Sequence, residues 1–326
     1  MTDDDQKQLK SRADDGWFER LCAWADESDI QEKELPRNKA KQLAMQKLWL
    51  NRARFTTLPA EIGQLGNLQK LYLSDNQLTS LPAEIGQLGN LQELHIWRNL
   101  LTSLPPEIGR LGNLQKLKLE SNKLSTLPPE IGQLGNLQKL DLRGNQLTAL
   151  PAAIAQLGNL QDITIDGHLL LELIDMAPHL PKLKSLSLFN LTALPAEIGQ
   201  LGNLQILYLH YNQLSTLPAQ IGQLSNLQEL DLDNNELTAL PDSIGQLGKL
   251  QELNLRENQL IALPPEIGQL SELRRLDLWD NQLTALPPKI GQLDNLQDLN
   301  LEWNKLTVLP PEIGQLGNLK WLYLIR

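Results

Sequence analysis

Few side chains in this 326-residue sequence have the means to do chemistry: the histidines His95, His168, His179 and His210, and carboxylates of which Asp231 and Asp233 fall on one strand face with Asp277 two repeats further on. Histidines hold a transition metal only where several converge. His95 and His210 lie five repeats apart, so no shared metal site is expected. The aspartates have the geometry for a calcium ion or a carboxylate pair. Acid–base work also needs an enclosed, water-poor pocket that shifts one pKa, and side chains repeated along an open sheet have none. There is no phosphate-cradling glycine loop and no nucleophile elbow, because the glycines fall in recurring Ile-Gly-Gln-Leu turns. Cys22 stands alone, which removes an internal disulfide and a cysteine-based zinc site and points to a reducing compartment or one where disulfides are unnecessary. No catalytic residue, metal or cofactor is expected, and the chain reads as a non-enzyme.

Charge narrows the partners. Lys and Arg number 29 against 39 Asp and Glu, a formal net charge of -10. Such a chain has no global basic field to gather phosphates, so neither nucleic acid nor a membrane surface is the expected partner. The start carries no basic segment followed by an apolar one, and no 18 apolar residues run together. A cytoplasmic protein is expected, with delivery as an effector left open.

The scaffold that positions these residues is written as a repeat. Leu-Pro recurs with proline at 59, 82, 105, 128 and 151, then at 195, 218, 241, 264, 287 and 310, with a 23-residue step within each run. Residues 68–90, LQKLYLSDNQLTSLPAEIGQLGN, serve as specimen. Leu71 and Leu73 alternate with Lys70, Tyr72 and Ser74, so a short strand aims its leucines inward and its variable residues outward. Asn76 falls where the chain turns, and a buried amide there can bond the backbone of adjacent coils, rung after rung. Leu81 is pushed extended by Pro82, whose fixed φ presets a short helical turn through Ala83 and Glu84 to Ile85, with Gly86 keeping that turn short. Counting Leu68, Leu78 and Leu88, about seven apolar anchors per repeat are buried only against the neighbouring repeats. Twelve full repeats run over 45–318, and a thirteenth stops after its strand, at Ile325 and Arg326. Strands stack about 4.8 Å apart while bulkier turns lie opposite, so the expected product is a horseshoe with a parallel sheet on its concave side. Residues 1–44 are expected to form a helical cap, with Trp17, Phe18, Leu21 and Trp24 at helical spacing on one side and Asp14, Asp15, Glu19 and Asp26 elsewhere.

The motif LPxEIGQLxNLQxLxLxxNxLTxLP resembles bacterial leucine-rich-repeat proteins and the intracellular Ras-group scaffolds of scribble and Erbin type, over residues 45–326. The resemblance implies a right-handed α/β leucine-rich-repeat solenoid that recognises protein along its concave sheet. In such families it is sometimes the sensing half of a larger chain, a Roco GTPase or a secreted ubiquitin ligase. Neither catalytic domain is present in this sequence. The ladder asparagine is replaced by Ala53 in repeat one and by His168 in repeat six, where the rung is in doubt. Repeat six, 160–182, carries LIDMAPHL in place of LPxxIGQL, and repeat seven is two residues short between Leu188 and Leu191. This irregular stretch, 160–203, reads either as a decayed repeat or as a specialised contact with apolar surface from Leu169, Leu170, Leu171 and Phe189.

Five positions around each strand vary while the framework repeats. Every aromatic outside the cap and Phe55 falls on one of them: Trp49, Tyr72, Trp97, Phe189, Tyr208, Tyr211, Trp279, Trp303, Trp321 and Tyr323. Trp and Tyr displayed on one face are the residue types enriched in binding hot spots, although β-propensity alone explains some of the tyrosines. With His95, Lys118, His210, Asp231, Asp233 and Asp277 they form the expected partner-binding set. Charge at these positions is polarised: repeats one to five are net positive by six, repeats eight to twelve net negative by seven. Complementary ends of that kind orient a partner. The expectation is a monomeric binding module for a protein of unknown identity. Two alternatives stand beside it: the substrate-choosing half of a longer enzyme or effector, and a glycan binder that stacks sugars on Trp279, Trp303 and Trp321.

Overall fold

The structure, a computed structural model, describes residues 16–324 and divides into two compact units, Met1–Leu160 and Gln161–Arg326. Asp14 and Asp15 of the expected cap, and the closing Ile325 and Arg326, lie outside the described residues.

The first unit opens with α1 (Trp17–Glu27), whose Trp17, Leu21 and Ala25, four residues apart, form the buried side. Trp24 sets its ring edge against Phe55 at 5.3 Å and donates its indole N–H to the Thr57 carbonyl at 3.2 Å, while Arg20 pairs with Glu61. The helix is thereby fastened to the first repeat. A second short helix, α2 (Lys39–Leu43), is capped by the Asn38 side chain, which accepts the Lys41 N–H. Five parallel strands follow in chain order: β1 (Lys47–Trp49), β2 (Lys70–Tyr72), β3 (Glu93–His95), β4 (Lys116–Lys118) and β5 (Lys139–Asp141).

The second unit carries β6 (Asp162–Asp166), β7 (Ser185–Phe189), β8 (Ile206–Tyr208), β9 (Glu229–Asp231), β10 (Glu252–Asn254), β11 (Arg275–Asp277), β12 (Asp298–Asn300) and β13 (Trp321–Tyr323), again parallel and in chain order. Leu186 faces Leu207 across β7 and β8, a step of 21 that absorbs the two missing residues without shifting a leucine off the core face.

In the specimen repeat all seven anchors, Leu68, Leu71, Leu73, Leu78, Leu81, Ile85 and Leu88, are buried. The turn opposite the strand is a 3-10 helix, Ala83–Gln87. Pro82 does not enter it: with ψ 150 the proline stays extended and precedes the first helical residue. Gly86 answers a packing need beyond turn length, since a Cβ there would lie 2.5 Å from the Glu107 carbonyl oxygen of the next coil.

The asparagine ladder is present in both units. Asn99 donates to the carbonyls of Leu73 and Ile96 and accepts the Leu78 N–H at 3.0 Å, binding neighbouring coils. Where Ala53 interrupts the series, Asn51 accepts the Ser74 N–H at 2.7 Å. At the second interruption His168 is exposed, and a buried Asp166 accepts instead from Asn190 at 2.7 Å. The residue before each ladder asparagine takes a left-handed backbone, as at Asp75, Arg98, Ser121, Tyr211, Asn234, Glu257, Asp280 and Trp303, and only Gly144 meets that demand with glycine. The irregular repeat folds into α3 (Leu170–Met176). Leu169 and Leu170 are core there, not added surface, and Leu171 alone of the three is exposed.

Candidate partner-binding face

Because successive strand residues alternate in direction, the central leucine of each three-residue strand from β1 to β12 enters the core and its neighbours stand on the opposite side, here called the sheet face. In the first unit Trp49 stacks on Tyr72 with ring centres 3.8 Å apart and planes 10° apart, and Tyr72 meets His95 edge-on at 4.8 Å. These residues occupy matching positions on β1, β2 and β3, so the register lines the rings up. Trp97 lies beside the Arg98 guanidinium at 5.4 Å. Glu93 is the hub of the local charges: Lys70 pairs with it, Lys116 lies 3.9 Å away, and His95 Nε2 lies 3.4 Å away. Burial, together with Lys118, Lys116 and Lys70, pushes His95 down to about 4, so the ring is neutral at neutral pH, and its Nε2 is buried with no hydrogen bond. Ser74, expected on this face, is covered.

Sequence reading gave no weight to one further pair. Asp141 is pushed up to about 7 by burial and then by its hydrogen bond with Glu120, whose own carboxyl is held low against its burial by that hydrogen bond and by Arg143. The two groups set opposing pH slopes on stability. His95 is depressed from 6.5 to about 4, so between those values the unfolded chain takes up a proton that the folded chain refuses, and stability falls as pH falls. Asp141 is raised from 3.8 to about 7, so the folded chain holds a proton that the unfolded chain has lost, and stability falls as pH rises through that window. Removing one exposes the other. Asp141→Asn should melt higher than the native protein at pH 8 and lose that advantage near pH 4, whereas His95→Gln should gain on the native protein as pH falls from 6.5 to 4. Identical pH profiles of melting temperature for all three proteins would refute this assignment.

In the second unit Phe189, Tyr208 and Tyr211 surround the His210 ring at 5.3, 5.9 and 5.6 Å, and His210 Nδ1 lies 3.4 Å from Asp231. Burial and the hydrogen bond to Glu229 push the Tyr208 phenol up to about 12. Glu229, Asp231, Glu252, Arg256, Arg275 and Asp277 line a shallow depression of about 150 Å³. Asp277 is only 4% exposed, with its carboxylate accepting the Trp279 N–H, which leaves little of it for a partner to touch. Burial raises the carboxyls of Asp233 and Asp277, with Asp231 adding to the rise at Asp233. The Arg256 guanidinium lies 4.8 Å from the Trp279 ring, and Trp279 meets Trp303 at 6.5 Å with planes 60° apart. Lys118, Trp97, Phe189, Tyr208 and Trp279 are half-buried, whereas Trp49, Tyr211, Trp303, Trp321 and Tyr323 are exposed. Among the described residues no three His, Cys, Asp or Glu side chains are placed to hold a metal ion, and no helix is long and apolar enough to cross a membrane.

The family described as leucine-rich repeat region matches residues 30–123, 107–191 and 172–277, and the leucine rich repeat family matches 271–325. The chain is similar to a leucine-rich-repeat protein from Leptospira interrogans, 42% identical over 90% of this chain and 83% of that one, with a TM-score of 0.68. It is also similar to the ectodomain of the Arabidopsis thaliana receptor kinase GASSHO1/SCHENGEN3, solved in complex with Casparian strip integrity factor 2. That match is 31% identical over 81% of this chain and 36% of the ectodomain, with a TM-score of 0.54. An internalin of Listeria monocytogenes shares the fold, at 22% identity over 87% of this chain and 88% of that one, with a TM-score of 0.59. No curated protein matches the chain. A 23-residue coil with a three-residue strand, an asparagine rung and a 3-10 turn, matched by family from residue 30 to 325, makes this chain a member of the leucine-rich-repeat family.

Proposed function

We propose that the chain is a non-enzymatic binding module that docks a partner protein on the sheet face. The observation that carries this reading is the exposure of large aromatics there: Trp49 52%, Tyr211 65%, Trp303 58%, Trp321 53% and Tyr323 42%, above strand leucines that are buried in all but the last strand. Water-exposed Trp and Tyr on a rigid surface supply contact area at low ordering cost, which is why hot spots are enriched in them. The similar Arabidopsis ectodomain was solved with a partner, which supports the same use of the fold here.

The test is affinity capture from lysate with the native protein and a Tyr211→Ser/Trp303→Ser variant that melts at the same temperature. A protein held through this face should be retained about 10- to 100-fold less by the variant, as expected for two hot-spot truncations. Equal retention of every captured protein would refute the reading for the second unit.

A further inference from the structure

We infer that the sheet face of the first unit docks an extended acidic polypeptide segment that carries an aromatic side chain. The inference rests on the reading of the sheet face as a protein-binding surface and names the class of partner for one part of it.

The charge on this face runs against that of the whole chain. At the variable positions around the strands of repeats one to five, Lys47, Arg52, Arg54, Lys70, Arg98, Lys116, Lys118, Lys123, Lys139 and Arg143 stand with only four carboxylates, in a protein of net charge -10. All four carboxylates are already engaged. Asp75 lies 3.4 Å from Arg52 and 3.7 Å from Arg98, Glu93 is held by Lys70 and Lys116, Glu120 pairs with Arg143 at 3.0 Å, and Asp141 shares a hydrogen bond with Glu120. Lys47, Arg54, Lys118 and Lys123 have no ion pair among the described residues, and Lys47, Arg54 and Lys123 are exposed. Unspent positive charge on the rim of an interface attracts and orients an anionic partner.

The aromatic requirement comes from the other half of the surface. Trp49, at the first strand, is stacked on Tyr72 on one side and remains more than half exposed. A partner ring laid against it extends a stack whose spacing the strand register already sets. Between the cations and the rings sits His95, neutral, with a buried Nε2 that makes no hydrogen bond and lies 3.4 Å from Glu93. Burial first, and then Lys118, Lys116 and Lys70, keep His95 unprotonated; a carboxylate brought among those lysines offsets their charge and so acts to raise its pKa.

A polypeptide fits this surface better than a nucleic acid. Asp75, Glu93, Glu120 and Asp141 are interleaved with the cations, and a strand of unbroken phosphates must run past them. Acidic side chains on an extended peptide alternate in direction, so they can be spaced to avoid those positions.

The probe is a fluorescein-labelled peptide of about 15 Glu-Phe-Glu-type residues, long enough to cross five strands about 4.8 Å apart. Its counterparts are the Lys-Phe-Lys peptide and an oligothymidylate of equal length. The acidic peptide should bind the full chain, with affinity that falls as salt rises. Lys47→Glu/Lys118→Glu should weaken it at least about tenfold, and Trp49→Ala about tenfold, at unchanged melting temperature. If Lys118→Glu disturbs the fold, Lys47→Glu/Lys123→Glu, both exposed, carries the same expectation. In nuclear magnetic resonance titrations the His95 pKa should rise from about 4 when the peptide is bound. No binding of the acidic peptide, equal binding of the lysine peptide, tighter binding of the oligothymidylate, or indifference to charge reversal each overturns the proposal. Loss of this result while a captured protein still depends on Tyr211 and Trp303 overturns the acidic-segment assignment alone and leaves the broader binding role standing.

Discussion

Asn99→Ala is expected to destabilise the chain by about 2–4 kcal/mol, and Asn76→Ala by about 1–2 kcal/mol less. Both amides are buried and each donates most closely to two carbonyls that follow the strands, Leu50 and Leu73 for Asn76 and Leu73 and Ile96 for Asn99. Truncating Asn99 costs its carbonyls little, because each is shared with an adjacent rung: Leu73 O still receives Asn76, and Ile96 O still receives Asn122. Truncating Asn76 leaves Leu73 O bonded to Asn99 but takes the rung from Leu50 O, and a carbonyl short of a bond costs less than an N–H without one. The larger difference is on the acceptor side. Asn99 Oδ1 takes the Leu78 N–H, which has no other partner, whereas Asn76 Oδ1 takes nothing. Truncating Asn99 therefore orphans a buried donor, and truncating Asn76 does not. Repeat arrays need not unfold in one step, so the check is twofold: thermal or urea unfolding of both variants, and hydrogen exchange at the Leu78 amide. Protection at Leu78 should collapse in Asn99→Ala and persist in Asn76→Ala. Equal losses of stability would refute the accounting.

The glycine of the Ile-Gly-Gln turn yields the second large effect. A methyl group at Gly86 would lie 2.5 Å from the Glu107 carbonyl oxygen and 2.9 Å from its Cβ, and a backbone oxygen in a stacked coil has nowhere cheap to move. Gly86→Ala should cost about 1–3 kcal/mol, the range of an overpacked core. Gly314 holds the same motif position with nothing within 4 Å of its added methyl group. Gly314→Ala should leave stability unchanged or raise it by about 0.5 kcal/mol, through a less flexible unfolded chain. Parallel melts of the two variants decide it, and equal destabilisation would show that turn conformation, not coil-to-coil approach, fixes the glycine.

That pair also marks how far the residues could be read without coordinates. Periodicity placed the strands, the seven anchors and the ladder asparagines, because each is forced by burial that recurs every 23 residues. Gly86 was legible as a small residue in a turn, but the reason for it lies in the next coil, which local spacing does not display. The left-handed residue before each rung was hidden for the opposite reason: Asp, Asn, Arg, Ser, Tyr, Glu and Trp occupy it, and one glycine at 144 is too little to reveal a backbone demand. A second row of asparagines at 90, 113, 136 and 159, each donating to a carbonyl of the preceding repeat, and Asn67, donating to the Leu43 carbonyl, stand in Gly-Asn pairs whose spacing alone does not reveal an acceptor one coil back. On the sheet face the aromatic positions were plain from variability, whereas the covering of Asp277 and the neutrality of His95 arise from neighbours on other strands.

Two of the most exposed rings, Tyr211 and Trp303, grow from left-handed positions, with φ of 55 and 54. A bulky side chain there raises the energy of the turn by about 1–2 kcal/mol relative to glycine. It also leaves the ring on main chain whose torsions are pinned, since the Tyr211 N–H bonds the Asp233 carbonyl and the Trp303 carbonyl accepts the Asn281 N–H. A visitor arriving at either ring need not freeze a wandering loop, at about 1–2 kcal/mol per residue, because folding has already done so. The same torsions limit adaptation, so complexes at these two points should discriminate sharply between ligands of slightly different outline.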